Sequence, residues 1–404
     1  MNTITINLEI LRENLDTIHH WMEDHGSSWT LVTKCICGHG DTMKALQSLG
    51  VKSIADSRVE NLEAIKRIIP EFESWYLRPP HLSAIPEIVR LSDVSLNSEI
   101  EIIKRLDEEA RKLDRRHGII VMIELGDLRE GILPGSLVGF YDEIFTLANV
   151  EVLGIGANLG CLSGTVPSID QLTQLVLYRE LLELKFKRKL PLISAGSSAL
   201  LPLLLERKIP KAVNHFRIGE SVFLGSDLVN GGTLKGLRND AVTLHAEVVE
   251  IKEKSLVPMG ETTGMTPFEP LEENPEQPQQ PGLRGYRAII SLGQLDTEIS
   301  GLTPVNPGYE MAGASSDLSV VNVGSDAGDL CVGDTISFRV DYSALVRSMS
   351  SNSIGKRVVP DLVSFKEDSV TESLDHCSET PVLEETRLGR RPAIKPLGRE
   401  SASS

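Results

Sequence analysis

The chain has 404 residues, 41% of them hydrophobic, a formal net charge of −16 and five cysteines. That length exceeds the size at which one core usually suffices, so two domains are expected. The acidic balance disfavours a nucleic-acid partner, and no stretch supplies the roughly 18 uninterrupted apolar residues of a membrane span.

The opening Met1-Asn2-Thr3-Ile4-Thr5-Ile6-Asn7 lacks the basic start and long apolar core of a signal peptide. Cys35, Cys37, Cys161, Cys331 and Cys377 are scattered and odd in number, which suits reduced thiols and a cytoplasmic location. Cys35-Ile36-Cys37 lacks the second Cys/His pair of a zinc site, so no metal is expected.

Ile4 and Ile6 alternate with polar residues as in a short strand, and Leu8 to Glu23 carries apolar residues at helical spacing. Strand-like apolar runs follow at Trp29–Ile36, Val51–Asp56, Phe72–Leu77, Val94–Asn97, Ile119–Leu125, Val150–Ala157, Leu192–Ala195 and Val213–Ile218. Helix-period segments such as Ser98–Arg115 and Ile169–Leu184 separate most of them. Strands alternating with helices imply parallel βαβ units. Eight such units fit a closed barrel better than an open sheet. The expected fold class is therefore α/β, with an N-terminal (β/α)8 TIM-like barrel over residues 8–230. Strand alternation returns at Thr243–Ile251, Arg287–Leu292, Leu318–Val323 and Thr335–Val340, which predicts a smaller C-terminal β domain built from 1–7 and 240–350. Residues 256–285 are rich in Pro, Glu, Gln and Gly and read as a mobile insertion. Residues 360–404 read as a disordered tail.

Barrels of this kind collect function at the C-terminal ends of their strands. Lys34 ends the first run. A lysine there is expected to be partly desolvated, which leaves a usable amine for a Schiff base, although a side chain that merely snorkels at a strand end would look the same. The seventh run leads into Gly196-Ser197-Ser198 and the eighth into Arg217-Ile218-Gly219-Glu220. Loops after these two strands often bind phosphate, with hydroxyls, backbone N–H groups and a helix dipole as the attraction. The same Gly-Ser-Ser also suits a plain turn and helix N-cap. A lysine facing a phosphate cradle across a barrel mouth points to pyridoxal 5'-phosphate, which needs both.

Lys34 with Gly38-His39-Gly40, the stretch Gly126-Asp127-Leu128-Arg129-Glu130-Gly131, Gly196-Ser197-Ser198 and Arg217-Ile218-Gly219 resemble the motifs of the alanine racemase family. Ala55-Asp56-Ser57-Arg58, Ser95-Leu96-Asn97-Ser98-Glu99, Gly301-Leu302-Thr303-Pro304-Val305 and Gly313-Ala314-Ser315-Ser316-Asp317 look most like its alanine/ornithine racemase branch. The resemblance runs from about residue 3 to about residue 350 and omits the insertion and the tail. It implies a pyridoxal-phosphate enzyme in which Lys34 holds the cofactor and acts as one base at the substrate Cα. Ser197, Ser198 and the Gly219 and Glu220 amides would hold the phosphate, and Arg217 would face the pyridine nitrogen. An arginine there keeps its proton, which favours racemisation over transamination. Arg129 would pair with the substrate carboxylate, unless it is spent in a surface ion pair with Glu130.

Two departures matter. Gly293-Gln294-Leu295-Asp296 stands where alanine racemases carry the partner subunit's catalytic tyrosine, and glutamine cannot exchange a proton usefully. Cys161, Tyr342 and His215 are then the candidates for the second base, although a buried structural role for Cys161 and a supporting one for His215 beside Arg217 are open alternatives. Asn158 replaces the histidine that stacks on the cofactor ring. The expected activity is interconversion of the L and D forms of ornithine, alanine or another amino acid, with Asp127 or Glu130 able to meet a distal ammonium. Aldol cleavage or decarboxylation on the same scaffold, and a non-catalytic cofactor carrier, are the alternatives. The resemblance implies a homodimer acting on a small-molecule amino acid.

Overall fold

In the computed structural model, residues 1–160, 162, 164–257 and 282–365 are described. The first strand, β1 (Thr3–Asn7), runs directly into a helix over Leu8–His25. Asn7 makes that junction sharp, because its side-chain oxygen accepts from the N–H groups of Glu9 and Ile10 at 3.0 and 3.1 Å. Gly26, at φ 77°, ends the helix in the left-handed conformation that glycine adopts without strain. Leu8, Leu11, Leu15, Ile18 and Met22 line its buried face. Buried Asn14 ties the helix to the chain leaving the barrel, donating to Val222 O and Arg238 O and accepting from Arg238 N.

Eight strands then close a barrel: β2 (Ser28–Val32), β3 (Ser53–Asp56), β4 (Glu73–Tyr76), β5 (Val94–Asn97), β6 (His117–Met122), β7 (Val150–Gly156), β8 (Leu192–Ser197) and β9 (His215–Ile218). Every neighbouring pair is parallel, and β9 returns to β2 with Ser28 opposite His215 and Leu31 opposite Ile218. This is the α/β architecture expected from the sequence. Val32, Ala55, Trp75, Leu96, Ile120 and Met122 form an apolar layer inside the barrel. Beneath them lies a polar layer. Thr30 bonds Ser53 at 2.8 Å, His215 bonds Thr30 at 3.1 Å and Ser194 at 2.8 Å, and His215 stacks on Trp75 with ring centroids 4.4 Å apart. A bulge in the β8–β9 pairing between Ser194 and Gly196 brings Ser197 opposite Arg217. Gly196 permits it, since a Cβ there would fall 1.9 Å from the Phe216 ring.

The second sheet is antiparallel along β12 (Leu302–Pro304), β15 (Thr335–Val340), β10 (Val242–Ser255), β11 (Arg284–Ile290), β14 (Ser319–Gly324) and β13 (Glu310–Ala314). β1 joins it through β10, and β16 (Gly355–Val359) pairs parallel with β1, so the sheet extends past residue 350. Residues 258–281, within the expected insertion, and 366–404, within the expected tail, lie outside the described residues. Met1–Leu362 forms one unit. Within it the helix Tyr342–Ser350, capped by Asp341 accepting from Ala344 N at 2.7 Å, packs on the Lys34–Ile36 turn. That contact brings the second sheet's helix to the barrel mouth. Among the described residues no helix is long and apolar enough to cross a membrane.

Candidate active site

A cavity of about 610 Å³ opens at the C-terminal ends of the barrel strands, within the size range of small-molecule and cofactor sites. Lys34, Arg129, Asn158, Ser197, Ser198, Arg217, Gly219, Glu220 and Tyr342 all line it. The sequence thus named nine residues, from several strand ends and from the helix beyond the barrel, that meet in one place. Four cationic side chains, Lys34, Arg78, Arg129 and Arg217, face two carboxylates, Glu130 and Glu220, in this lining. The cavity is locally positive in a chain of net charge −16, which suits an anionic ligand.

Lys34 follows β2 by two residues and opens a 3-10 turn. That turn carries the side chain out over the mouth, so it is exposed rather than partly desolvated as expected. Its Nζ stands 5.8 Å from the centroid of the Tyr342 ring. Below it lies Asp56, fully buried at the end of β3 and pushed up to about 6 by burial. Asp56 Oδ1 accepts from Arg58 N and Asn61 Nδ2, whereas Oδ2 has no partner among the described residues.

Arg217, on β9 next to β2 in the barrel, is buried and donates to Ser194 O, Ser194 Oγ, Ala157 O and Asn158 Oδ1, the last at 2.7 Å. Ser198 sits beside it and accepts from Ser221 N at 3.4 Å, which joins the ends of β8 and β9. The Ser197 hydroxyl is buried without a hydrogen-bond partner among the described residues. At Gly219 a Cβ would fall 2.8 Å from Val32 O, so only glycine lets the chain pass this close to β2. An unsatisfied hydroxyl, a second hydroxyl and a glycine-tight turn on a positive wall fit a phosphate group. The Glu220 carboxyl is raised by burial and bonded to Ser226.

Asp127 departs from expectation, while His215 and Arg129 follow the alternatives left open for them. Asp127 is buried, accepts from Leu162 N and is absent from the cavity lining. Glu124 causes this by accepting from the N–H groups of Gly126, Leu128 and Arg129, curling the loop so that Leu128 points out and Asp127 in. His215 belongs to the barrel interior and is pushed down to about 3, by burial first and the Arg217 charge second. It is a neutral structural imidazole, not a base facing the cavity. Arg129 does pair with Glu130, Nη2 to Oε1 at 2.7 Å, but as part of the cavity wall, with the Glu130 side chain only 10% exposed. Cys161 lies outside the described residues. Arg78, Ser57 and Leu96 line the cavity without having been assigned a role. For Ser57 and Arg78 the position after a strand end was the available signal, whereas Leu96 lies inside β5.

The model of the alanine racemase N-terminal domain family matches residues 6–227. The chain belongs to this family. It is 36% identical over 357 residues to an ornithine racemase of Acetoanaerobium sticklandii, covering 88% of this chain and 99% of that protein. It is 33% identical to a lysine racemase of Thermotoga maritima, over 89% of this chain and 99% of that one. Among solved structures, an alanine racemase of Streptomyces coelicolor superposes with a TM-score of 0.67 at 17% identity, over 89% of this chain and 98% of the other. At that identity the superposition speaks for the shared alanine racemase fold.

Proposed function

We propose that this alanine racemase family member is a pyridoxal-phosphate-dependent racemase of a basic amino acid. The observation that carries the reading is Lys34 beside Tyr342 in one positive cavity that Ser197, Ser198 and Arg217 also line. The substrate class is supported by the two relatives of known name, an ornithine and a lysine racemase.

In this reading Lys34 would hold the cofactor through its aldehyde, Ser197, Ser198 and the turn at Gly219 would hold its phosphate, and Arg217 would serve its ring nitrogen. Bound there, the cofactor supplies the electron sink that makes the Cα proton of an amino acid removable. Once the substrate's amine has taken its place on the cofactor, the freed Lys34 amine would take or return that proton on one face. Tyr342, the second-base candidate that lines the cavity beside Lys34, serves the other face. Arg129, held from the side by Glu130, reads the substrate carboxylate through its remaining guanidinium edge. Arg217 cannot release a proton, so it keeps the ring nitrogen unprotonated and the reaction on the racemisation course.

We also infer a cytoplasmic homodimer. Leu295 is 74% exposed at the tip of the Gly293–Asp296 turn, which Asp296 closes by accepting from Gly293 N, and that turn corresponds to the stretch that enters a partner's site in the family. Light scattering at micromolar concentration tests it, and a monomer would contradict it.

The test of the activity is incubation with L-ornithine, L-lysine and L-alanine in deuterium oxide, followed by chiral chromatography. The D enantiomer carrying deuterium at Cα is expected for ornithine or lysine. Aldehyde release from D-threonine without enantiomer exchange would favour aldol cleavage instead.

A further inference from the structure

Between two arginines of the site, Arg129 and Arg217, lies the Glu130 carboxylate. Glu130 accepts from Arg129 through Nε and Nη2, and from Asn158 Nδ2. Asn158 Oδ1 in turn accepts from Arg217 Nη2 at 2.7 Å. The amide has one possible orientation here, because a guanidinium only donates and a carboxylate only accepts. The result is an unbroken run, Arg129–Glu130–Asn158–Arg217, that links the mouth of the barrel to its buried interior. Below Arg217 it continues through Ser194 to His215 and Thr30. The Glu130 side chain is only 10% exposed against 35% for Arg129, so the pair is better shielded than an ordinary surface ion pair.

We propose that Glu130 is a positioning residue that fixes the substrate-carboxylate arginine and the ring-nitrogen arginine as one unit, which rests on the racemase reading above. A guanidinium presents two forks, the Nε–Nη2 side and the Nη1–Nη2 end. Glu130 grips the side fork of Arg129, a residue of the cavity lining, and so fixes the plane and direction of its guanidinium. Its second task is electrostatic. Through Asn158 it presents a negative charge to Arg217, whose bonds to Ser194 O, Ser194 Oγ, Ala157 O and Asn158 Oδ1 are to neutral oxygens. Glu130 is therefore a carboxylate that both arginines share, Arg129 directly and Arg217 through Asn158.

The test uses the holoenzyme with Glu130→Gln, which keeps the shape and loses the charge, and Glu130→Asp, which keeps the charge at shorter reach. Propionate probes the carboxylate fork and n-butylamine the amine side, each by calorimetry. In Glu130→Gln, propionate is expected to bind about tenfold more weakly while n-butylamine is unchanged. The absorbance maximum of the bound cofactor is expected to move, and to move likewise in Asn158→Ala. Glu130→Asp is expected to restore part of both effects. Unchanged propionate binding with an unchanged spectrum would overturn the proposal, as would tighter propionate binding, which would make Glu130 a competitor of the substrate. Because these readouts do not depend on turnover, an inactive wild type would overturn the racemase reading separately.

Discussion

The Lys34 ammonium stands 5.8 Å from the centroid of the Tyr342 ring, so a residue after the first barrel strand meets one from the helix behind the second sheet. If these two serve opposite faces of Cα, Tyr342→Phe should separate exchange from inversion. Racemisation is expected to fall by about 100-fold or more, while deuterium exchange of one enantiomer persists through Lys34. Equal loss of exchange for both enantiomers would remove Tyr342 from the second-base role.

Arg217 donates to Ser194, Ala157 and Asn158 oxygens, and a guanidinium keeps its proton. Arg217→Glu places a proton-sharing carboxyl at the same point. Transamination, followed as conversion of the cofactor to its amine form, is expected to rise relative to racemisation. An unchanged ratio would count against the role given to Arg217.

Gly219 passes so near β2 that a Cβ would meet Val32 O and Val32 Cβ, both at 2.8 Å. Gly219→Ala is expected to displace the turn between β9 and the following helix and to weaken cofactor retention on dialysis by about tenfold or more. Retention equal to wild type would place the phosphate elsewhere.

The barrel interior carries a pH dependence of its own. Burial pushes His215 down to about 3 and His117 to about 4, so both stay neutral in the fold while the unfolded chain takes up protons near the ordinary value. Their contribution is therefore complete above about pH 6.5 and is lost as pH falls toward 4 and then 3. Asp56, raised to about 6, works in the opposite direction: its contribution is complete below about pH 4 and is lost as pH rises through 6. Two histidines outweigh one carboxyl, so stability is expected to decline on acidification below neutrality. His215→Gln should flatten that decline, as read from urea midpoints between pH 7 and 4. A slope identical to wild type would show that His215 is protonated in the fold.

Much of the barrel was legible because its strands are short apolar runs set between helical periods. The reading Val94–Asn97 coincides with β5, and Thr335–Val340 with β15. β13 and β16 were not read, for different reasons. Glu310-Met311-Ala312-Gly313-Ala314 has no two-residue alternation and contains a glycine at φ 157°. Gly355–Val359 is half exposed and finds its partner in β1, more than 300 residues away. In the site, residues at a strand end or within two positions of it were found, as with Lys34, Ser197, Ser198 and Arg217. Asp127 was misplaced because the direction of its loop is set by Glu124, which gathers three backbone N–H groups. No spacing rule encodes that curl. The link from Glu130 through Asn158 to Arg217 joins three strand ends, and its geometry appears only once the barrel has closed.

The most direct measurement is borohydride reduction of the protein loaded with pyridoxal phosphate, followed by peptide mapping of the modified lysine. The expected result is a single pyridoxyl group on Lys34, together with loss of visible absorbance in Lys34→Ala. A label on another lysine, or no visible absorbance in the wild-type protein, would contradict the role of Lys34 on which the whole reading of the site depends.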